Sequence, residues 1–349
     1  MRRLATGLGL ALLSLLLALA ALEVVLRARP TLLGQEFATG ALSRYTTGAG
    51  GIYYADPSLR MFFMIPDMKA VMYANGYVWH HETDALGFRN KPLHVPADIV
   101  VLGDSLVYGH GVELEDTVTA NLERLSRMTV ANLGRQGDCA FQEAYLLTEH
   151  IGRFKPRWVF HVFSPNDIED LYVHLSEAAM EAFIAEPVEL ISYPDRTDPA
   201  RAMAERERRL AKRSLRKRFL DEAFIAKTYR WIVYRLQPGR PTRVAEAAPR
   251  VPTGMTEAPT SLGWRYTEKA IEYMDRLARS HGARLVIVSL GYDRQHEILQ
   301  AIARRRGIPF VETRPDMFEP WTRLPGDGHL SPAGNRRLAE ILTAFLARS

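Results

Sequence analysis

Five short apolar runs, four of them stopped by a turn signal, constrain this chain more than any other feature. Ile99–Leu102 ends at Gly103, Val130–Leu133 at Gly134, Trp158–Phe163 at Ser164-Pro165 and Leu285–Leu290 at Gly291; Ile308–Val311 is the last and shortest. They lack the in-out alternation of a half-exposed strand, so they predict strands buried on both faces, as in a parallel sheet. Helical patterns lie between them. Ile271, Met274, Leu277 and Ala278 keep a spacing of three to four ahead of the fourth strand. Near the C-terminus, Ser331-Pro332 is a cap followed by proline at the first helical position, and Leu338, Ile341, Leu342, Phe345 and Leu346 form one apolar stripe behind it. This alternation predicts a three-layer α/β sandwich around a mainly parallel five-stranded sheet. In such sheets ligands gather beyond the carboxyl ends of the strands. The loops after the first three strands are therefore where chemistry is expected.

The first thirty residues differ in kind. Arg2 and Arg3 precede an almost uninterrupted apolar run from Leu4 to Leu22, which Val24, Val25 and Leu26 extend past Glu23. The run reaches the roughly 20 residues that span a bilayer as a helix. It is longer than the roughly 7–15-residue core of a signal peptide, although Ala18-Leu19-Ala20 offers a small-x-small cleavage site. Three readings follow for residues 1–30: an uncleaved signal anchor that meets the membrane through residues 4–26, a signal peptide whose removal leaves a secreted or periplasmic protein, or a buried core helix. The first two put the remainder outside the cytoplasm. Residues 1–30 also carry +3 of the chain's formal +5, so the rest is nearly balanced and gives no reason to expect a nucleic-acid partner. Cys139 is the only cysteine, which excludes an intramolecular disulfide and a cysteine-rich zinc site. His80 and His81 are adjacent without a third ligand spaced for them, and neither a metal nor a cofactor is expected.

Two segments stand outside the strand–helix repeat. Residues 31–97, rich in Tyr, Met and Gly, show no clear helix and read as an N-terminal arm or small sheet. Residues 98–349 form the main domain, with a helical basic insertion at about 172–262. Nine of the eighteen residues from Arg201 to Arg218 are Lys or Arg, with Glu205 and Glu207 among them. That stretch reads as a solvated helical face or as a contact for a membrane surface or anionic glycan. Phe219, Phe224, Tyr229, Trp231 and Tyr234 behind it suit either a cap over the site or ordinary core, and residues 238–262 read as a loop.

Gly103-Asp104-Ser105-Leu106 directly follows the first core strand and puts a serine at the sheet's carboxyl edge. A serine hydroxyl needs a base before it attacks. His329, in Gly326-Asp327-Gly328-His329 just before the last helix, is well placed to be one, and Asp327 is placed to orient its ring. Acyl transfer also needs donors for a developing oxyanion. Gly137, after the second strand, and Asn166, after the third, offer a backbone N–H and a side-chain amide. Asp104 and Asp167 read as structural supports, and Cys139 as a buried small residue.

In these four blocks the chain resembles the SGNH (GDSL) hydrolases, and in Asn132–Gly137 and Leu86-Gly87-Phe88-Arg89 it resembles their bacterial membrane-anchored members more than plant lipases. Ser105 stands in the nucleophile's place, Gly137 and Asn166 in the oxyanion-hole places, His329 in the base's place and Asp327 in that of its acid partner. The resemblance covers roughly residues 98–349 without the insertion. It implies a flavodoxin-like sandwich and cofactor-free acyl hydrolysis or transfer, with the N–H of Ser105 itself completing the oxyanion hole. The chain departs from the common pattern in spacing Asp327-x-His329 one residue closer than Asp-x-x-His. It also carries Ser164 where glycine is usual. What the resemblance implies is a serine esterase acting on short acyl esters of a small molecule, lipid or glycan. An O-acyltransferase or deacetylase on an envelope glycan and a catalytically silent binding or scaffold domain are the alternatives.

Overall fold

The computed structural model describes residues 2–236 and 256–349, with side chains from residue 6 onward, so most of the expected 238–262 loop lies outside the described residues. The chain opens with helix α1 (Arg2–Ala28) and a short α2 (Gln35–Leu42). Two antiparallel hairpins follow, β1 (Tyr53–Asp56) with β2 (Met61–Met64) and β3 (Lys69–Ala74) with β4 (Tyr77–Glu82). The main unit then runs β5 (Ile99–Leu102), α3 (Ser105–Tyr108), α4 (Val118–Ser126), β6 (Val130–Asn132), α5 (Ala140–Phe154) and β7 (Trp158–Phe163). Helix α6 (Asp167–His174) follows, and then four insertion helices: α7 (Glu177–Ala185), α8 (Pro199–Ala211), α9 (Leu215–Glu222) and α10 (Phe224–Arg235). The chain closes with α11 (Leu262–Ser280), β8 (Arg284–Ser289), α12 (Asp293–Arg306), β9 (Phe310–Val311) and α13 (Pro332–Leu346).

The five apolar runs are the five strands of one parallel sheet, ordered β6-β5-β7-β8-β9. Ile99 registers with Val130 on one side and Trp158 on the other. The chain leaves β5 for the β6 edge and then returns to β7 on the opposite side. The end of β5 is thus a topological switch point, where a crevice opens between diverging connections. Successive β5 residues serve opposite layers. Ile99 and Val101 pack with Leu122 of α4 and Leu338 and Leu342 of α13, whereas Val100 and Leu102 pack with Leu147 of α5 and Met274 of α11. Burial on both faces is why these runs carry no polar alternation. The result is a three-layer α/β sandwich.

Residues 31–97 fold against this unit. Helix α2 forms where composition gave no helical signal: it spans only two turns, too short for a period to show, and owes its place to Phe37 and Ala41 packing with Leu26 and Phe224. Gly87 lies at φ +87°, and a Cβ there would meet the Met64 carbonyl oxygen at 2.5 Å, so the turn after the second hairpin requires glycine. Arg89 beside it is buried and donates to the carbonyls of Tyr108, Gly109, His80 and Val112 at 2.6–3.1 Å, tying the hairpins to the loop after α3. In the insertion, Arg206 is similarly spent on the carbonyls of Thr47, Gly48 and Gly51, while Glu205 and Glu207 pair locally with Arg208 and Arg206. Phe224 is buried and Trp231 half-buried, but Phe219 and Tyr229 are exposed.

Candidate active site

The site grows from the abrupt end of β5. A Cβ on Gly103 would lie 2.4 Å from Val107 Cγ2 and 3.1 Å from the Val162 carbonyl oxygen, so only glycine lets the chain turn this tightly into α3. Asp104 caps the turn by accepting from the Leu106 N–H at 2.8 Å and from the Ser164 hydroxyl at 2.6 Å, linking the loops after β5 and β7. Asp167 accepts from the Ser164 N–H at 3.0 Å. Both aspartates therefore support the turn. Burial, together with the charges of Glu143 and Asp104, pushes the Asp167 carboxyl well up from its ordinary value.

On this frame Ser105 presents its hydroxyl to His329, with Oγ 2.8 Å from Nε2. The other ring nitrogen, Nδ1, bonds Asp327 Oδ1, which also accepts from the His329 backbone N–H at 3.0 Å. The loop holding both residues is closed by a Leu324 N–H to His329 carbonyl bond of 2.8 Å, and by Asp327 N–H to the Leu324 carbonyl at 3.0 Å. One intervening residue between Asp327 and His329 is therefore enough for the carboxylate to reach the ring. Burial alone would raise Asp327, but hydrogen bonding and charge from His329 and the Asn75 amide overcome it and hold the carboxyl well below the usual range.

Several members of this assembly had no visible signal in the sequence. Asn75, at the tip of the β3–β4 hairpin, donates to Asp327 Oδ2 at 3.0 Å, and the Tyr77 hydroxyl donates to the Pro325 carbonyl at 2.6 Å. His110 stacks on the His329 ring with centroids 3.8 Å apart, and its Nε2 lies 3.9 Å from Asp327 Oδ2. Trp79 stands behind it at 4.7 Å. Burial first, then the charge of His329, depresses His110 to about 3, so the ring is neutral at ordinary pH. His110, Asp327 and His329 bring metal-ligand-type atoms within 4.8 Å of one another. Both nitrogens of His329 are already engaged by Ser105 and Asp327, however. Of the two histidines expected not to bind metal, His81 bonds the Tyr108 hydroxyl at 2.8 Å and His80 lies 3.1 Å from Glu113.

Ser105, Asn166 and His329 share a cleft of about 590 Å³, lined also by Leu106, Pro165, Glu169, Tyr292, Phe318, Arg323 and Gly328. The Asn166 amide donates to Asp170 Oδ2 at 2.6 Å and, more weakly, to Asp104 Oδ2 at 3.3 Å. Burial raises Asp170 to about 6 against the opposing Asn166 hydrogen bond. Gly137 is not among the described residues lining the cleft. It takes φ +74°, its surroundings on the Cβ side are open, and its carbonyl accepts from His174 Nε2 at 3.0 Å. Cys139 is fully buried at the start of α5. None of Phe219, Phe224, Tyr229, Trp231 and Tyr234 lines the cleft.

No family model and no curated protein matches this chain. Among solved structures it is similar to TesA, at 13% identity over 72% of this chain and 98% of the other, with a TM-score of 0.38. It is also similar to a GDSL-like lipase from Bacteroides thetaiotaomicron VPI-5482, at 13% identity over 72% of this chain and 85% of the other, with a TM-score of 0.34. A catalytic mutant of an acetylxylan esterase from Geobacillus stearothermophilus matches at 12% identity over 72% of this chain and 94% of the other, with a TM-score of 0.36. At that degree of superposition the likenesses carry no functional weight; the side-chain geometry does.

Proposed function

We propose that this chain is a serine esterase that cleaves short carboxylic esters, held at a membrane by α1 with its main domain outside the cytoplasm. The observation that carries the chemistry is the continuous relay from Ser105 Oγ through His329 to Asp327. In this reading His329 Nε2 takes the hydroxyl proton as Oγ attacks the ester carbonyl carbon. Asp327, kept ionised, stabilises the imidazolium that forms. The N–H of Ser105 and the Asn166 amide receive the negative oxygen, and the Asn166 N–H on its longer bond, to Asp104, is the one free to turn toward it; Gly137 keeps its place as a third donor on the family resemblance alone, since it does not line the cleft. His329 then gives its proton to the departing alcohol. Water attacks the acyl-enzyme with His329 again as base, releasing the acid and restoring Ser105. Leu106, Pro165 and Phe318 offer the cleft's apolar wall for the acyl group, with Glu169 and Arg323 for the alcohol portion.

The anchor reading rests on α1. Residues Thr6–Ala28 are long and apolar enough to cross a membrane, and Leu26 is the one described residue of that span that is buried. The catalytic reading is tested with p-nitrophenyl acetate, butyrate and octanoate. The wild type is expected to turn over the short esters fastest, with Ser105→Ala reduced to the uncatalysed background. Equal hydrolysis by wild type and Ser105→Ala would contradict it.

A further inference from the structure

The last turns of α1 are built into the insertion. The Glu23 carboxylate accepts from the N–H groups of Phe224 and Ile225 at 3.0 and 2.9 Å, capping α10, and Arg27 closes the cluster 2.7 Å from Glu23 and over the Phe224 ring. Leu26 packs with Phe37, Ala41 and Phe224. The start of α10 is therefore level with the end of α1, at the point where a spanning helix leaves the bilayer.

From that point α9 and α10 present an unusual surface. The inner side of α10 is covered, since Phe224 and Trp231 meet Phe37 with ring centroids 6.5 and 5.8 Å apart. Its outer side is an apolar stripe at helical spacing: Tyr229 (68% exposed), Ile232, Val233 and Leu236 (75%). Helix α9 has no buried residue at all, and Leu215 and Phe219 on it are 81% and 60% exposed. Cations surround these side chains. Residues 208–235 hold ten Lys or Arg against Asp221 and Glu222, a local excess of eight in a chain whose total is +5. Arg209, Lys212, Arg216, Lys217 and Arg218 have no acidic partner among the described residues. Large apolar groups held out into solvent among unpaired cations suit one environment well, the boundary between anionic headgroups and acyl chains.

We infer that α9 and the outer stripe of α10 form a foot that lies on the anionic phospholipid surface of the membrane α1 enters. Phe219, Tyr229 and Leu236 reach among the acyl-chain ends, and Arg216, Lys217 and Arg218 meet the phosphates. The inference rests on reading α1 as a membrane anchor. Its consequence is mechanical: a single spanning helix leaves a domain free to tumble, whereas an anchor plus a foot fixes which way the domain faces.

The test uses the full chain in lipid nanodiscs, with an environment-sensitive fluorophore on one introduced cysteine at a time and quenching by doxyl-labelled lipid. Phe219→Cys and Tyr229→Cys probe the foot, Leu12→Cys probes α1, and Arg336→Cys on α13 is the solvent control. In discs containing phosphatidylglycerol, quenching is expected at 12, 219 and 229 and not at 336. Combined Arg216→Glu, Lys217→Glu and Arg218→Glu substitutions should cut quenching at 219 at least to half and leave position 12 unchanged. Quenching at 12 with 219 and 229 as dark to the lipid as 336 overturns the foot and leaves the anchor standing. Quenching at 219 that survives charge reversal removes anionic headgroups from the account and overturns it too. No quenching at 12 ends the anchor reading, and the foot with it.

Discussion

Ser105 lies more than two hundred residues of chain before Asp327 and His329, yet each is held by ordinary devices: an aspartate cap, a two-residue carboxylate turn and a stacked ring. His110 is the least expected of these supports. Its stacking, rather than its nitrogens, should matter, because the ring is neutral and its Nε2 stands 3.9 Å from Asp327. His110→Phe is therefore expected to keep most of the esterase kcat/KM. His110→Ala, which frees the His329 ring to tilt, should lose about tenfold or more; steady-state kinetics on both variants decides it. Asp170 governs a second response. Its raised value of about 6 means that it takes up a proton as pH falls through that point, and it then grips the Asn166 amide less firmly. The acidic limb of kcat/KM should bend near pH 6 in the wild type, beyond what protonation of the base produces, and Asp170→Asn should remove that bend. That Ser105, His329, Asp327 and Asn166 would gather at one cleft was legible because each sits next to a strand end or before the final helix. His110 and Asp170 were not, since a stacked ring and a carboxylate behind an amide follow from tertiary packing that leaves no local pattern.

At the scale of elements, the sheet was readable for a physical reason. Strands buried on both faces have to be apolar throughout, and the first four had a glycine or proline within two residues of their ends. Boundaries shifted by a residue or two, most at β9, where Pro309 contributes only its carbonyl, to the Ile287 N–H at 2.9 Å. The two hairpins were much less legible. Their exposed residues are mixed in character, and their importance lies in what they touch. The β3–β4 tip reaches Asp327 through Asn75, which sits at φ +49°. Asn75→Gly keeps that left-handed turn and deletes only the amide. The expected result is an unchanged melting temperature with kcat/KM lowered by up to about tenfold, the low end for a hydrogen bond to a charged group. A drop in melting temperature with unchanged kcat/KM would assign the hairpin to stability alone.

For the whole molecule, a doubly wound sheet supplies the crevice, the β3–β4 hairpin braces Asp327 through Asn75, and none of the cleft's lining residues belongs to α1 or to α7–α10. The basic insertion reads in sequence as a solvated face or a surface contact; its sorting into the buried clamp Arg206 and the exposed helix α9 depends on how it folds back. Every proposed step passes through one atom, Ser105 Oγ, whose reactivity a fluorophosphonate reports. The wild-type chain should gain a single phosphonyl adduct, which peptide mass spectrometry maps to Ser105. The adduct should be abolished in Ser105→Ala and slowed by orders of magnitude in His329→Ala. A folded wild-type chain that takes no label, or an adduct that persists in Ser105→Ala, would contradict it.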